Sequence, residues 1–388
     1  MDADLAAPAV TAEAKALVEG AERLCESAEA AGWRGPDAYD GLWWRWPRPL
    51  VAGQRRRQVL MQLHARSPVD FRPLYRRSHP RIAKTLGIFG STRTRLHGLT
   101  GDARHREGAL GALDLLDADR SSGTPGWGYP WDTQTRWSFY PTGSPNIVVT
   151  SYGAAGLSEA AQAFGVERYG ARAAAAAEWI QDELFDERLG IYCYHHGSET
   201  FIHNASLLGA RAVRTVLGRD YAPAAVARAV ERTLDCQKPD GSWPYGEGGG
   251  LEFVDSFHTG YVLECLCDFA GDDPRVREAL ELGSRYYADR FFGAGGEARL
   301  WPDRRFPEDA HAAGTGLTSL ARLAKLGIAD PALVSLVGRR ATTHMLRDGR
   351  AIYRRYRLGT TRVKYLRWAD SHMALGLANA AAVTGRTI

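Results

Sequence analysis

Residues 237–260, QKPDGSWPYGEGGGLEFVDSFHTG, predict the end of one helix, a glycine-rich loop and the start of a second helix. The Asp-Gly pair near the beginning is a strong turn signal, and Trp243 and Tyr245 alternate with other residues as in a short extended strand. Asp255 is a residue type that caps helices, and apolar residues follow it at helical spacing. The stretch therefore predicts one loop and one helix start of a larger unit.

This plan recurs along the chain. Helices are predicted at 11–31, 53–65, 80–98, 104–118, 147–164, 170–185, 203–217, 222–236, 255–270, 273–291, 310–326, 331–346 and 370–384. From residue 80 onward, helices rich in Gly, Ala and Ser alternate with helices that carry charge on one face. Because small residues let helix axes approach closely, the first kind suits the inner layer of a ring. With the N-terminal helix as an outer member there are about six pairs, which predicts an all-α (α/α)6 toroid.

The loops between each outer helix and the next inner helix are also alike. They contain paired aromatic residues and lie at 125–137, 190–198, 241–249, 298–306 and 349–357. We interpret them as short β-hairpins at one end of the ring, where they and the first turns of the inner helices line one cavity. The chain is expected to form a single domain over 1–388. Residues 1–79 supply N-terminal helices and an aromatic loop, and residues 80–388 supply the helix pairs.

Composition limits the classes of function. The 388 residues are 45% hydrophobic and 24% charged, with a formal net charge of +4, as in an ordinary globular protein. A charge this small disfavours a nucleic-acid partner. The start of the chain lacks the basic and apolar segments of a signal peptide, and no apolar run is long enough for a membrane span. The cysteine count is odd without a CxxC pair, which favours reduced thiols and a cytoplasmic location.

Gln237, Gly241 and Trp243 resemble the Gln-and-Trp repeat of the prenyltransferase and terpene-cyclase superfamily, whose fold is an α/α toroid. The wider pattern resembles a branch associated with bacterial polysaccharide and glycoconjugate gene clusters. The similar stretches cover nearly the whole chain: PDAYDGL (36–42), GWGYPWDTQTRW (126–137), SPNIVVTSYGAAGL (144–157), IHNASLLGA (202–210), DGSWPYGE (240–247), DSFHTGYVLE (255–264) and KYLRWADSHM (364–373). The resemblance implies the toroid and a link to sugars.

The acidic motifs of isoprenoid chemistry are incomplete in this sequence. The nearest match to the Asp-x-Asp-Asp acid of terpene cyclases is Asp-Ala-Asp-Arg at 117–120, which fails at its last position. The pair Asp272 and Asp273 lacks the third acid of an Asp-Asp-x-x-Asp magnesium motif, and the zinc ligands of protein prenyltransferases have no counterparts. Isoprenoid chemistry is therefore disfavoured, although it stays an alternative.

Two pairs of residues at inner-helix starts are candidates for catalysis. Asp255 and His258 share one helix face, and a carboxylate beside an imidazole makes a general base; an ordinary cap beside a packed histidine is the alternative. His203 and Asn204 can neutralise a sugar carboxylate and support proton abstraction beside it, as in uronate lyases and epimerases, although Asn204 is also an ordinary cap. Tyr152 is a candidate proton donor.

Histidines recur at four inner-helix starts, 203, 258, 311 and 372, which raises the question of a metal site. No HxxxH or HxH pair fixes a ligand geometry, and the four come from different repeats. The sequence therefore predicts no metal and no cofactor.

The remaining candidates are aromatic, polar and cationic residues that suit a hydroxylated, anionic ligand better than a hydrocarbon. The predicted substrate-binding residues are Trp127, Tyr129, Asp132, Arg136, Trp243, Tyr245, Glu247, His311, Lys364, Arg367, Trp368 and Asp370. The sequence thus predicts an enzyme acting on a sugar or glycoconjugate, with uronate lyase or epimerase chemistry and glycoside hydrolysis both open. The alternatives are an isoprenoid enzyme and a non-catalytic glycan-binding protein. The partner is a small molecule or oligosaccharide, and the oligomeric state is left open.

Overall fold

The computed structural model describes residues 11–44, 46–67, 70–75, 77–135 and 138–385, and within these ranges the chain is mostly helical. The helices are α1 (Ala12–Ala30), α2 (Arg48–Val51), α3 (Gln54–Arg66), α4 (Ala83–Thr100), α5 (Ala103–Asp117), α6 (Ile147–Phe164), α7 (Glu167–Leu184), α8 (His203–Leu217), α9 (Pro223–Leu234), α10 (Ser256–Leu266), α11 (Pro274–Phe291), α12 (Ala310–Lys325), α13 (Pro331–Arg340) and α14 (His372–Thr384). π-Helical turns span Ala341–Met345 and Leu366–Ser371.

Six inner helices form a closed ring. Helices α4, α6, α8, α10, α12 and α14 each pack between two others of this set, and α14 returns to pack against α4. Each inner helix has an outer partner: α5, α7, α9, α11, α13 and, for α14, the N-terminal helix α1. The (α/α)6 toroid and its assignment of inner and outer helices are therefore confirmed.

The small residues of the inner helices permit close backbone approach. A Cβ atom on Gly376 of α14 would lie 2.3 Å from the carbonyl oxygen of Gly314 of α12. At the contact between α4 and α6, a Cβ on Gly156 of α6 would lie 2.4 Å from the carbonyl oxygen of Gly87 of α4. These distances are too short for any side chain, so glycine at these positions sets the diameter of the inner ring.

Replacing Gly376 by alanine is expected to lower the free energy of unfolding by roughly 1–3 kcal/mol, because the methyl group forces two backbones apart. The matched control is Gly98→Ala on α4, where a Cβ has no neighbour within 4 Å. That change should raise stability by up to about 1 kcal/mol through helix propensity. Urea unfolding of both variants measures the difference, and equal stability of Gly376→Ala and the wild type would contradict this packing.

Short strands lie in the loops at one end of the ring. They are β1 (Thr133–Gln134), β2 (Phe139–Tyr140), β3 (Phe185–Asp186), β4 (Ile191–Tyr192), β5 (Glu308–Asp309), β6 (Leu346–Arg347), β7 (Arg350–Ala351), β8 (Arg354–Tyr356) and β9 (Gly359–Thr360). β1–β2, β3–β4 and β6–β7 are antiparallel pairs, and β5, β8 and β9 form a three-stranded sheet. The predicted hairpins are thus confirmed in three of these loops, whereas the loop at 298–306 contains no strand and makes isolated bridges at Ala298 and Arg299.

The loop at 241–249 differs from the predicted hairpin. It makes one isolated bridge, between Gly246 and Ile202, and no strand is assigned to its described residues. Pro244 has no backbone N–H to donate, and Gly248 and Gly249 have positive φ angles of 70° and 64°. The loop therefore closes as a series of turns instead of a paired strand.

The N-terminal segment covers part of the ring mouth. Helix α3 contributes Gln58, Met61 and Gln62 to the cavity there, and the aromatic loop before it contributes Tyr39. Tyr39 of the aromatic loop is therefore part of the cavity wall. No helix within the described ranges has the length and apolarity needed to cross a bilayer.

Ion pairs lie at the other end of the ring. Arg95 of α4 pairs with Glu159 of α6 at 2.7 Å, and Arg211 of α8 pairs with Glu264 of α10 at 2.6 Å. These pairs line a small pocket of about 30 Å³ on the far side of Tyr152. The ring is therefore closed behind Tyr152: it is hollow at the end where the inner helices begin, and a separate pocket of about 460 Å³, lined by Arg95, Arg322 and Asn379, opens at this end.

Candidate active site

A cavity of about 660 Å³ occupies the hollow end of the ring. The second residue of each of five successive inner helices lines it: Lys84, Val148, Asn204, Phe257 and His311. The loops supply a wall of aromatic rings: Tyr129, Trp131, Tyr194, Tyr245, Phe253, Trp301 and Trp368. A smaller pocket of about 130 Å³ shares Tyr129, Trp131, Tyr194 and Tyr245 with it. Size and lining are those of a site for an organic ligand with polar groups.

Asp255 and His258 form a hydrogen-bonded pair in the cavity wall. Asp255 caps α10 by accepting a hydrogen bond from the backbone N–H of His258 at 2.9 Å, and its other oxygen lies 2.8 Å from Nδ1 of the same residue. Because the carboxylate accepts the Nδ1 proton, Nε2 of a neutral ring keeps its lone pair. None of the described residues forms a hydrogen bond with Nε2. The pair therefore has the arrangement of a general base.

A second polar cluster forms the floor of the cavity. The Tyr261 hydroxyl lies 2.6 Å from Nε2 of His311 and 3.2 Å from Nε2 of His372. Nδ1 of His311 lies 3.0 Å from the Trp368 carbonyl, which can only accept, so Nδ1 carries the proton and Nε2 accepts from Tyr261. Nε2–H of His372 then donates to the tyrosine oxygen. The cluster forms a directed chain of hydrogen bonds from His372 through Tyr261 to His311.

Burial keeps this cluster neutral. Desolvation lowers the pKa of His311 well below its usual value, and the nearby Lys84 and Arg367 lower it further. The pKa of His372 is lowered in the same way, first by burial and then by His311. Burial also raises the pKa of Tyr261 well above its usual value. Near neutral pH the floor thus offers a hydroxyl group and two uncharged imidazoles, which can pass a proton without carrying a net charge.

Lys84 reaches the same floor from α4. Its Nζ lies 3.5 Å from the Tyr261 hydroxyl and 4.5 Å from the centre of the Tyr152 ring, and the residue is 3% exposed. Among the described residues no carboxylate lies within ion-pair distance of it. Burial lowers the pKa of the amine well below its usual value, and the positive charge of Arg367 adds to that effect.

The two arginines in the wall, by contrast, are paired. Arg367 makes two hydrogen bonds of 2.6 and 2.7 Å to Asp37, which is fully buried. Arg354 makes one of 2.7 Å to Asp309, the residue that caps α12. Each pair is close to neutral overall, so the arginines contribute hydrogen-bond donors and stacking surfaces more than net charge.

Several residues predicted from sequence meet in this cavity. Besides Asp255 and His258, they are Asn204, Tyr129, Tyr245, His311, Arg367 and Trp368. Tyr152 lies directly behind the floor, with its ring 5.7 Å from that of His372 and 6.2 Å from that of Tyr261. Arg136 falls outside the described residues. The roles assigned to these residues remain predictions.

Other predicted substrate-binding residues lie elsewhere. Trp127 and Trp243 are 1% exposed and fill the core between inner and outer helices, where Trp243 donates to the Thr233 carbonyl at 2.9 Å. Asp370 is buried against Arg350 at 2.6 Å, and burial raises its pKa to about 6. Their aromatic or acidic character serves packing and loop anchoring instead of lining the cavity.

Asp132 and Lys364 also lie outside the cavity lining. Asp132 accepts hydrogen bonds from the backbone and hydroxyl of Thr142, both at 2.8 Å, and so fixes its own loop. Lys364 lies 3.7 Å from Asp348, with both side chains exposed to solvent. Composition of a loop indicates which groups are available, but not which side of the loop they face.

His203 and Glu247 point away from the cavity and towards each other. His203 is fully buried, and its Nε2 lies 3.0 Å from a Glu247 oxygen. Successive residues on a helix are rotated by about 100°, so His203 turns outward where Asn204 faces the cavity. His203, Glu247 and Cys236 bring ligand atoms within 4.8 Å of one another. These are residue types that ligate zinc, and the sequence analysis did not bring the three together.

Sequence reasoning also left Lys84, Tyr261 and Asp37 out of the site. A signal for Lys84 was present, because it is a lysine on the second residue of an inner helix otherwise made of apolar and small residues as far as Arg93. Tyr261 follows His258 by three residues and so shares its helix face. Asp37 had no such signal, since its partner Arg367 is 330 residues away.

Scans of the sequence against family models and against curated proteins find no match. Solved structures, however, are similar in fold. An unsaturated glucuronyl hydrolase specific for heparin matches with a TM-score of 0.64 at 13% identity, over 95% of this chain and 98% of that one. Cellobiose 2-epimerase from Bacillus thermoamylovorans B4167 matches with a TM-score of 0.61 at 10% identity, over 78% and 88%. A D-mannose isomerase matches with a TM-score of 0.59 at 11% identity, over 78% and 87%. These structures are (α/α)6 toroids of sugar-processing enzymes. The toroid fold implied by the resemblance is confirmed, whereas a relationship to the prenyltransferase and terpene-cyclase superfamily is not.

Proposed function

We propose that this chain is an enzyme that moves a proton on a sugar, at a carbon next to a carbonyl or carboxylate group. Epimerases, isomerases and lyases of carbohydrates share this step. The observation that carries the proposal is the convergence of His258, His311 and His372, from three successive inner helices, on Tyr261. His258, His311 and Tyr261 line one cavity, and His372 contacts Tyr261 from behind. The same groups support both removal of a proton and its return.

The geometry suggests separate roles for these groups. His258, oriented by Asp255, has a free Nε2 that can remove a proton from carbon. The ring centre of Tyr261 lies 6.3 Å from that of His258, and its hydroxyl is connected to two neutral imidazoles. Tyr261 is therefore placed to return a proton to the substrate and to be reprotonated through the histidines. A base and a separate proton donor beside the same substrate space can both remove a proton from carbon and return one.

Glycoside hydrolysis fits the cavity less well. The usual mechanism needs two carboxyl groups that flank the scissile bond. Among the described residues that line the cavity, Asp255 is the one carboxylate, and it is already bonded to His258. Asp37 and Asp309 lie behind the wall and are occupied by Arg367 and Arg354. Proton transfer at carbon is therefore favoured over hydrolysis.

A sugar suits the lining for two reasons. Aromatic faces such as those of Trp131, Trp301 and Trp368 stack on sugar rings, and Gln58, Gln62 and Asn204 can bond hydroxyl groups. The solved structures with the same fold are named as a cellobiose epimerase, a mannose isomerase and a glucuronyl hydrolase. Their names agree with a carbohydrate substrate, and the absence of a second wall carboxylate separates this chain from the hydrolase type.

The test is proton exchange at carbon. The purified protein is incubated in D₂O with a panel of aldoses, ketoses, disaccharides and uronic acids, and ¹H and ²H NMR follow the loss of C–H signals and the appearance of new sugars. We expect one class to exchange a single C–H and to give an epimer, an isomer or an unsaturated product. Prenyl diphosphates serve as the comparison panel. Turnover of those compounds and none of the sugars would overturn the proposal, as would tight sugar binding without any exchange.

A further inference from the structure

Lys84 has no role in the acid–base steps above, yet it is the most unusual charged group in the cavity. Its amine is buried on the floor, faces the substrate space and has no carboxylate partner among the described residues. A lysine in such a place seldom serves stability, since an unpaired buried ammonium ion is costly to desolvate. A neutral amine avoids that cost, and it is a nucleophile.

We propose that Lys84 forms an imine with the open-chain carbonyl of the substrate sugar. This inference rests on the proposed function and narrows its substrate class to reducing sugars, aldoses or ketoses, that open to a free carbonyl group. Its geometric basis is the position of Nζ at 3.5 Å from the Tyr261 hydroxyl, on the floor of a cavity whose wall carries His258.

Imine formation at Lys84 requires two proton transfers. The Nζ lone pair attacks the carbonyl carbon, and one N–H proton passes to the carbonyl oxygen through the Tyr261 hydroxyl, which gives a neutral carbinolamine. The carbinolamine hydroxyl takes a further proton and leaves as water, and the resulting C=N bond carries the positive charge. The hydroxyl of Tyr261 is the protein group within 3.5 Å that can transfer these protons.

Imine formation would also assist the proton transfer proposed above. A positively charged C=N bond attracts electrons more strongly than a carbonyl, so the neighbouring C–H becomes more acidic. His258 removes that proton, and the electron pair of the C–H bond moves into the C–N unit to form a neutral enamine. Proton return on carbon and addition of water release the product sugar and the free amine of Lys84.

The neighbours of Lys84 do not supply a counterion for a charged amine. Tyr261, His311 and His372 are joined by hydrogen bonds on one side, and Asp37, the carboxylate behind the wall, is occupied by Arg367. The Tyr152 ring covers the side of Nζ that faces the ion-paired end of the ring. The amine is thus accessible from the cavity and shielded from the other side.

Reductive trapping tests the inference directly. The intact protein is treated at pH 7 with glycolaldehyde and sodium cyanoborohydride, and peptide mass spectrometry follows alkylation of each of the five lysines. We expect Lys84 to react at least about tenfold faster than the exposed Lys15 and Lys238, because burial lowers the pKa of its amine and leaves more of it neutral. Reaction of Lys15 and Lys238 with Lys84 unmodified would overturn the inference.

The variant Lys84→Met separates this inference from the proposed function. Methionine keeps an unbranched, uncharged side chain in the buried position but has no amine to form the imine, so deuterium exchange on the substrate should fall below detection while the melting temperature stays close to that of the wild type. Undiminished exchange by Lys84→Met would contradict the imine and leave the proposed function standing. Fast labelling of Lys84 in a wild-type protein that exchanges no sugar would support a reactive amine and contradict the proposed function. If the variant does not fold, the labelling rates of the wild-type protein decide the question alone.

Discussion

Replacing His258 by alanine is expected to lower kcat by about 10²–10⁴-fold for the sugar found by the exchange screen, the usual contribution of a positioned acid or base. The reason is the loss of the Nε2 lone pair that the Asp255–His258 hydrogen bond directs into the cavity. KM should change less, because the aromatic wall that holds the sugar stays intact. The rate of deuterium incorporation under saturating substrate measures the effect.

The variant Asp255→Asn tests what the carboxylate contributes to the same pair. The amide still caps α10, so the helix start at Ser256 should persist, whereas the charge that stabilises a protonated His258 is lost. The rate should therefore fall. The matched control is His196→Ala, since His196 lies outside the cavity and its side chain is 74% exposed. If the His258 and His196 variants behave alike, His258 is not the base.

Replacing Arg367 by methionine is expected to lower the free energy of unfolding by about 3–5 kcal/mol, because the fully buried Asp37 carboxylate loses its partner. The pair joins the N-terminal aromatic loop to the π-helical turn Leu366–Ser371, which carries Trp368. Loosening of that turn should also weaken the carbonyl contact that sets the proton on His311. Activity should therefore fall together with stability.

Urea-unfolding midpoints measure this change, and two further variants serve for comparison. Glu19→Ala removes an exposed pair with Arg23 at 3.8 Å and should change stability by at most about 1 kcal/mol. The double variant Asp37→Asn/Arg367→Met leaves no buried charge and should lose less than the sum of the two single changes. Additive losses would show that the two residues act independently.

Much of the fold was predictable because its determinants are local and repeated. Every second helix is rich in small residues, and a similar aromatic loop recurs with each helix pair. An error in predicting one pair or one loop therefore does not change the predicted ring. The Asp255–His258 pair was predictable for the same reason, since a cap and the third residue after it meet within one turn. The loop at 241–249 was not, because proline and positive-φ glycines prevent the strand pairing that its aromatic residues suggested.

The rest of the site depends on helix rotation and on contacts between distant segments. His203, His258 and His311 all lie at inner-helix starts, but they are the first, third and second residues of their helices. That difference turns His203 outward and brings His311 to the floor beside His372, with ring centres 4.1 Å apart. Sequence spacing within one repeat does not contain this information. Nor does it contain the Asp37–Arg367 pair, which connects the two ends of the chain.

The ion-paired end of the ring has a consequence for how substrates reach the floor. Because the Arg95–Glu159 and Arg211–Glu264 pairs close the ring behind Tyr152, the cavity at the helix starts is a blind well in the described structure, separate from the pocket at the other end. A polymer cannot thread through such a well, so only the terminal unit of a glycan can descend to Tyr261 while the remaining units project past the aromatic rim. Product must also leave through the opening by which substrate entered. Product release and binding of the next substrate molecule therefore exclude each other.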